Sequence, residues 1–176
     1  MKSTFACTIL ALAAVLATTL SASHAAAAAS VLAPMNREPA PPLVLKDIHG
    51  AAHDLAQYRG KVVLINFWAT WCEPCRQEMP SMQRLRDKLS GKSFVVLAVN
   101  VAEPDARVRR FLEETRLDLP VLMDANKTVT RGWGVRVMPT SFIVGLDGRL
   151  RYRVTGDIDW SADAVIGTIS QLLSGG

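Results

Sequence analysis

Two cysteines three positions apart follow directly on an apolar run, and this junction constrains the fold more than any other feature of the chain. Residues 61–67 form a continuous apolar stretch that is typical of a buried central strand. Cys72 and Cys75 come next, and apolar residues then recur at the spacing of a helix face. These residues are Met79, Met82, Leu85 and Leu89. The sequence therefore predicts a strand, a short loop and a helix that begins at about Cys72.

This position has a chemical consequence for the first cysteine. The unpaired N–H groups and the positive dipole end of a helix N-terminus stabilise a thiolate, which is the nucleophilic form of the side chain. Cys72 is therefore the predicted attacking cysteine, and Cys75, one turn later, is the predicted resolving cysteine. Pro74 suits the first helical turn and stiffens the loop. A disulfide across two intervening residues stabilises a fold little, so the spacing favours redox chemistry over a structural bridge.

Other uses of a Cys-x-x-Cys pair are less well supported by the sequence. A zinc site needs further ligands, but there is no second cysteine pair, and His49 and His53 lie upstream in a predicted hairpin. Haem attachment needs a histidine after the second cysteine, where Arg76 stands. A copper or haem chaperone that uses both cysteines as soft ligands remains an alternative.

The residues around the cysteines resemble a known family. Asn66-Phe67-Trp68-Ala69-Thr70-Trp71-Cys72-Glu73-Pro74-Cys75, followed by Glu78-Met79-Pro80, is similar to the thioredoxin superfamily, and most similar to the exported TlpA/ResA/CcmG group. Val137-Met138-Pro139-Thr140 resembles the cis-proline loop of these proteins. The resemblance covers about residues 43–173. It implies a thiol–disulfide oxidoreductase that reduces protein disulfides with a redox-active disulfide and no other cofactor or metal.

The resemblance also implies a substrate-binding surface next to the cysteines. The cis-proline loop faces the cysteine pair in the family, and the backbone at Met138 can pair with an incoming substrate strand. The expected substrate-binding residues are Trp71, Glu73, Pro74, Met138, Pro139 and Thr140. Trp68 is expected to pack in the core, whereas Glu103 and Asp124 are expected at the surface without a catalytic role.

Two acidic positions distinguish this chain from ordinary thioredoxins. Thioredoxins carry a buried aspartate where Asn66 stands, and an asparagine cannot titrate. Glu78 is the candidate replacement: one helical turn after Cys75, it could accept the proton of that thiol. The alternative is a solvated carboxylate on the helix surface. Glu73, between the cysteines, should raise the pKa of the thiols and bias the pair toward a reductant rather than a strong oxidant.

The remaining patterns predict an α/β thioredoxin fold with a mixed central sheet and helices on both faces. A β-hairpin over residues 43–55 precedes the central strand, and residues 93–99 form a second buried strand. An inserted helix and strand segment follows, with helices over residues 104–116 and 126–133. Two strands then meet at the turn Asp147-Gly148, and a helix over residues 161–173 ends the domain.

The N-terminus predicts export. Lys2 precedes an apolar stretch over residues 9–20, and small residues follow at positions suited to cleavage, so residues 1–26 are a predicted signal peptide or, alternatively, a retained membrane anchor. Cys7 would leave with a cleaved signal. Residues 27–42, rich in alanine and proline, are a predicted linker, and residues 43–176 a predicted thioredoxin-like domain.

The net charge and the predicted export together limit the classes of partner that we expect. The formal net charge of +4 is small and the arginines are dispersed, so nucleic-acid binding is not indicated. We expect a periplasmic monomer that acts on disulfide-containing exported proteins. The family resemblance implies apocytochrome c or copper-site proteins of oxidase assembly as substrates, and re-reduction by a membrane electron donor of the DsbD/CcdA type.

Overall fold

A mixed sheet of six strands forms the centre of the computed structural model, which describes residues 32–175. The strands are β1 (Ala33–Pro34), β2 (Val44–Lys46), β3 (Ala52–Asp54), β4 (Val62–Trp68), β5 (Phe94–Val101), β6 (Val121–Asp124), β7 (Thr140–Val144) and β8 (Leu150–Thr155). The helices are α1 (Glu73–Lys88), α2 (Asp105–Thr115), α3 (Thr128–Gly132) and α4 (Asp163–Leu173), and a 3₁₀ helix spans Leu55–Tyr58.

The sheet has the strand order β1-β8-β7-β4-β5-β6, and β2 and β3 form a separate hairpin. Strand β4 runs parallel to β5, and β5 runs parallel to β6, whereas β7 is antiparallel to both β4 and β8. The predicted mixed sheet with an N-terminal hairpin is confirmed. The helix boundaries predicted from apolar spacing agree with the structure to within two residues for α2, α3 and α4.

The central strand β4 is buried along its whole length because both faces of the sheet are covered. Alternate residues of a strand point to opposite faces. Val62, Leu64 and Trp68 pack with apolar residues of α1, α2 and α4, while Val63, Ile65 and Phe67 pack with the hairpin and α3. The prediction of helices on both faces is confirmed. Asn66 is the one polar residue of β4, and it lies on the α1 side.

Strand polarity brings several chain segments to one edge of the sheet. The carboxyl ends of the parallel strands β4, β5 and β6 meet there. Because β7 is antiparallel to β4, with Thr140 opposite Phe67, the loop that precedes β7 reaches the same edge. The loop from Trp68 to Cys72 and the segment around Pro139 therefore lie beside each other.

The N-terminal part of the described chain packs more extensively than a linker would. Leu32 is buried, and β1 pairs antiparallel with β8 through Ala33 opposite Arg153. The backbone N–H of Met35 adds a hydrogen bond to the carbonyl of Arg151. The outer edge of β8 has backbone groups that need partners, and this segment supplies them. Residues 32–42, which the sequence assigned to the linker, therefore pack on the domain ahead of Leu43. The predicted signal segment 1–26 lies outside the described residues.

Candidate active site

Cys72 and Cys75 form a disulfide at the N-terminus of α1, with an Sγ–Sγ distance of 2.06 Å. Cys72 is the N-cap residue, and its Sγ accepts the backbone N–H of Cys75 at 3.4 Å. Pro74 lies in the first helical turn, as predicted. Cys72 is 5% exposed and Cys75 is fully buried, so the sulfur that an incoming group can reach is that of Cys72.

Glu78 lies one turn after Cys75 on α1 and is buried against three hydrogen-bond donors. Asn66 Nδ2 donates to Oε1 at 2.7 Å, and Trp160 Nε1 donates to Oε2 at 3.0 Å. The backbone N–H of Ile158 also donates to Oε2, at 3.4 Å. Burial raises the pKa of the Glu78 carboxyl to about 7, although these hydrogen bonds act in the opposite direction. The carboxyl can therefore gain or lose a proton near neutral pH, which a solvated carboxylate would not do.

The hydrogen-bond network around Glu78 includes two residues that the sequence patterns did not indicate. Trp160 precedes α4 and is fully buried, and Ser141 on β7 accepts the second N–H of Asn66 at 2.9 Å. The one sequence signal for this role was a tryptophan in a polar segment. A buried indole N–H usually has a hydrogen-bond acceptor, so such a tryptophan predicts a buried polar partner. The substitution of asparagine for the thioredoxin aspartate thus supplies a donor that holds Glu78.

Glu103 fixes the loop that leads into Cys72. Its Oε2 accepts the backbone N–H of Thr70 at 2.6 Å, and its Oε1 accepts the hydroxyl of Thr70 at 2.6 Å. Asn100 Nδ2 also donates to Oε2, at 2.8 Å. The surface position expected for Glu103 is therefore wrong: the residue is 4% exposed, because its carboxylate pairs with loop donors that would otherwise be buried without a partner.

Asp124 is likewise buried rather than at the surface. Its Oδ2 accepts the backbone N–H of Thr130 at 2.7 Å and the hydroxyl of the same residue at 2.6 Å. The N–H of Val129 donates to Oδ1 at 3.3 Å. Asp124 therefore ends β6 by satisfying the free N–H groups in the first turn of α3.

The predicted substrate-binding residues lie in two segments, the start of α1 and the loop before β7, and Thr140 among them is fully buried. The Met138–Pro139 peptide bond is cis, and the Thr140 hydroxyl donates to the carbonyl of Val137 at 2.8 Å. Trp71 is 64% exposed beside the disulfide, whereas Trp68 is fully buried, as predicted.

Glu73 points away from the protein interior. Its Oε2 forms an exposed ion pair with Arg76 Nη1 at 3.1 Å, and its Oε1 accepts a hydrogen bond from Gln77 at 3.3 Å. Solvent and the neighbouring arginine both weaken the field of this carboxylate at the cysteines. Its influence on the thiols is therefore expected to be modest.

The two histidines of the hairpin region have local roles in this structure. His53 Nδ1 and the Tyr58 hydroxyl share a hydrogen bond of 2.6 Å, and Nε2 lies 3.1 Å from Asp47 Oδ2. His49 is exposed on the turn of the hairpin. Within residues 32–175, no group of three or more histidine, cysteine or acidic side chains is arranged to hold a metal ion. Over the same residues, no helix has the length and apolar character needed to cross a membrane.

A disulfide at the start of the helix that follows a central strand, with a cis-proline loop at the same sheet edge, defines a thioredoxin-fold thiol–disulfide oxidoreductase. The chain matches the AhpC/TSA family over residues 37–153 and belongs to that family. The thiol–disulfide oxidoreductase ResA of Geobacillus thermodenitrificans (strain NG80-2) is 41% identical over 117 residues, which are 66% of this chain and 67% of the relative.

Solved structures agree with this assignment. A putative thiol:disulfide interchange protein DsbE from Chlorobium tepidum superposes with a TM-score of 0.71 at 32% identity, covering 77% of this chain and 96% of that chain. The exposed lipoprotein thioredoxin Etrx1 of Streptococcus pneumoniae strain TIGR4 has a TM-score of 0.66 at 26% identity, covering 74% and 98%. The predicted family, fold and enzyme class are confirmed: the chain is a ResA-like thiol–disulfide oxidoreductase, a disulfide reductase.

Proposed function

We propose that this enzyme reduces disulfides in exported proteins on the outer side of the cytoplasmic membrane, in the periplasm. The observation that carries the proposal is the Cys72–Cys75 disulfide at the N-terminus of α1 with the buried Glu78 one turn further on. The signal-like segment 1–26 and the description of one similar structure as an exposed lipoprotein support the location. A signal or anchor over residues 1–26 followed by a thioredoxin-like domain is part of the same proposal, with residues 32–42 packed against that domain.

The reaction begins with the reduced enzyme. The Cys72 thiolate attacks one sulfur of the substrate disulfide, which forms a mixed disulfide and releases the other substrate sulfur as a thiolate. The Cys75 thiolate then attacks Cys72 Sγ, which restores the Cys72–Cys75 disulfide and releases the second substrate sulfur. Two electrons pass to the substrate, whose two sulfurs take up protons.

The second step requires the buried Cys75 thiol to lose its proton. Glu78 is the proposed acceptor, because burial holds its pKa at about 7, where it can take a proton from a thiol and return it to solvent. The hydrogen bonds from Asn66 and Trp160 keep the carboxylate in place on the α1 side of the sheet. Without an acceptor in this buried region, the thiolate of Cys75 would form slowly.

The family resemblance suggests the substrates and the electron source. Apocytochrome c and copper-site proteins of oxidase assembly are the proposed substrates, and a membrane donor of the DsbD/CcdA type is the proposed reductant. A donor is needed because the periplasm is kept oxidising and offers no reducing buffer.

Trapping of the mixed disulfide tests the proposed roles. A Cys75→Ser variant should stall with the substrate bound to Cys72, so that non-reducing gels and mass spectrometry of exported proteins identify covalent adducts. Cys72→Ser is the matched control and should trap nothing. Adducts with Cys72→Ser and none with Cys75→Ser would show that the roles of the two cysteines are reversed.

A further inference from the structure

A groove of about 390 Å³ opens beside the disulfide at the active edge of the sheet. Trp71 borders it on the side of the cysteine loop, and Val137 and Met138 border it on the side of the cis-proline loop. Lys127 and Arg136 also line the groove. The groove therefore connects the residue before Cys72 with the cis-proline loop.

The walls of the groove are unusually apolar for exposed surface. Among residues 32–175, the exposed large hydrophobic side chains are Val44, Trp71 and Val137, and two of these three line the groove. Trp71 is 64% exposed and Val137 is 53% exposed. Exposed apolar side chains that cluster beside a reactive group indicate a surface that another molecule covers.

The two cationic side chains of the groove form no ion pair with residues 32–175. These side chains, Lys127 and Arg136, are exposed. No carboxylate lines the groove. The carbonyl oxygen of Asp124 accepts the backbone N–H of Lys127, and the Asp124 carboxylate is buried and accepts N–H groups from the first turn of α3. By contrast, Arg76 is paired with Glu73 on the other side of the disulfide. The positive charge of the groove is therefore available to a ligand.

We propose that this groove selects, among disulfide substrates, protein segments that carry aspartate or glutamate within a few residues of the target cysteine. The inference rests on the proposed function and adds a substrate preference to it. An apolar residue next to the cysteine packs on Trp71 and Val137, and the acidic side chain lies near Lys127 and Arg136. Opposite charges accelerate encounter and fix the orientation of the segment at Cys72.

Synthetic peptides with a single disulfide test the preference. Three peptides of identical length carry aspartates, serines or lysines beside the cysteines, and the rate of their reduction by the dithiol enzyme is followed by tryptophan fluorescence or mass spectrometry. At an ionic strength of about 0.01 M, the acidic peptide should react about tenfold faster than the basic one. The difference should largely vanish at about 1 M salt, where charges are screened within a few ångströms.

Charge reversal in the groove should reverse the order of the peptides. Lys127→Glu with Arg136→Glu should make the basic peptide the faster substrate. Lys92→Glu is the control, because Lys92 is exposed before β5, at the opposite end of the strand from the disulfide. It should preserve the preference for the acidic peptide.

The outcomes separate the two proposals. Reduction of all three peptides at equal rates would overturn the substrate preference and leave the reductase function intact, whereas no reduction of any peptide would contradict the function itself. A dimer that forms through the groove and is disrupted by Arg136→Glu, detected by sedimentation, would assign the surface to a second copy of the chain and also overturn the preference.

Discussion

Glu78 couples the protonation of one side chain to the stability of the fold. Its pKa is about 7 in the folded protein and near 4.5 when exposed, so the folded state binds more protons between these values. The contribution of protonated Glu78 to the free energy of unfolding is fully present below pH 4.5, and it is lost as the pH rises to about 7. The loss amounts to about 3 kcal/mol in the free energy of unfolding.

We therefore predict that Glu78→Gln removes this decline. Denaturant unfolding of the oxidised wild type should show stability falling between pH 4.5 and pH 7, while the variant should remain nearly level over the same range. The variant should also slow the resolution of the mixed disulfide, because Cys75 loses its proton acceptor. Equal pH profiles of stability and of resolution rate in both proteins would refute the role assigned to Glu78.

Glu103 supports a prediction about the loop that carries Cys72. Both carboxylate oxygens accept hydrogen bonds from Thr70, whereas a glutamine offers one oxygen and places its amide against a donor. Glu103→Gln should lower the free energy of unfolding by about 2 kcal/mol, measured in urea. Thr70→Ser keeps the hydroxyl and should lie close to the wild type. A glutamine variant as stable as the wild type would contradict this account.

The sequence predicted the cysteine pair and Glu78 better than the buried acids that hold the neighbouring loops in place. The spacing of Cys72, Cys75 and Glu78 places them within two turns of one helix, so the sequence alone was enough to group them. Glu103 and Asp124 were expected at the surface, because they lie in the region where the family resemblance implies an inserted helix and strand. Their burial depends on backbone donors at the edge of the sheet, which are brought to them only by the tertiary fold.

At the scale of elements, helix α1 determines the properties of the active disulfide. Its N-terminal dipole favours a thiolate at Cys72, and the first-turn carboxylate of Glu73 opposes a second negative charge there. Because Glu73 is exposed and paired with Arg76, the dipole is the stronger of the two influences.

Removal of the Glu73 charge should consequently change the redox equilibrium by a small amount. Glu73→Gln should increase the thiolate fraction of Cys72 near neutral pH, detected by its alkylation rate, and make the disulfide slightly easier to reduce. A shift of about 10 mV toward more oxidising potentials is expected, measured against glutathione. Glu114→Gln, an exposed substitution on α2, should leave both quantities unchanged. A wild-type potential near the about −120 mV of a strong oxidant would contradict the assignment as a reductant.

The elements that sequence periodicity predicted well are those with their own apolar pattern. Strand β4 and helices α1 and α2 each present regular apolar residues to the core. Strand β1 was missed because its two residues have no such pattern, and they become a strand only by pairing with the edge of β8. Edge pairing of this kind is specified by the partner strand.

At the scale of the whole molecule, the N-terminal segment belongs to the fold. Leu32 is buried in the larger apolar cluster, and the carbonyl of Pro42 accepts the indole N–H of Trp133 at 3.2 Å. The sheet edge at β8 is covered by the same segment. Residues before Leu43 therefore contribute to stability.

Two truncations test this contribution. A protein that begins at Leu43 should have a free energy of unfolding about 2 kcal/mol below that of a protein that begins at Leu32, because the burial of Leu32 and the β1 pairing are lost. Calorimetry of both proteins in the oxidised state gives the thermal midpoints and unfolding enthalpies for this comparison. Equal midpoints would show that the segment behaves as the linker that its composition suggests.

The hydrogen bond from Trp160 to Glu78 has an optical consequence. The indole is fully buried and points its N–H at a carboxyl group that titrates near neutral pH. A negative charge at that position alters the electronic environment of the ring, so near-ultraviolet absorption and emission from Trp160 follow the proton on Glu78. The enzyme thus contains its own chromophore beside the acid proposed to serve its resolving cysteine, and proton movement during turnover can be observed without an added label.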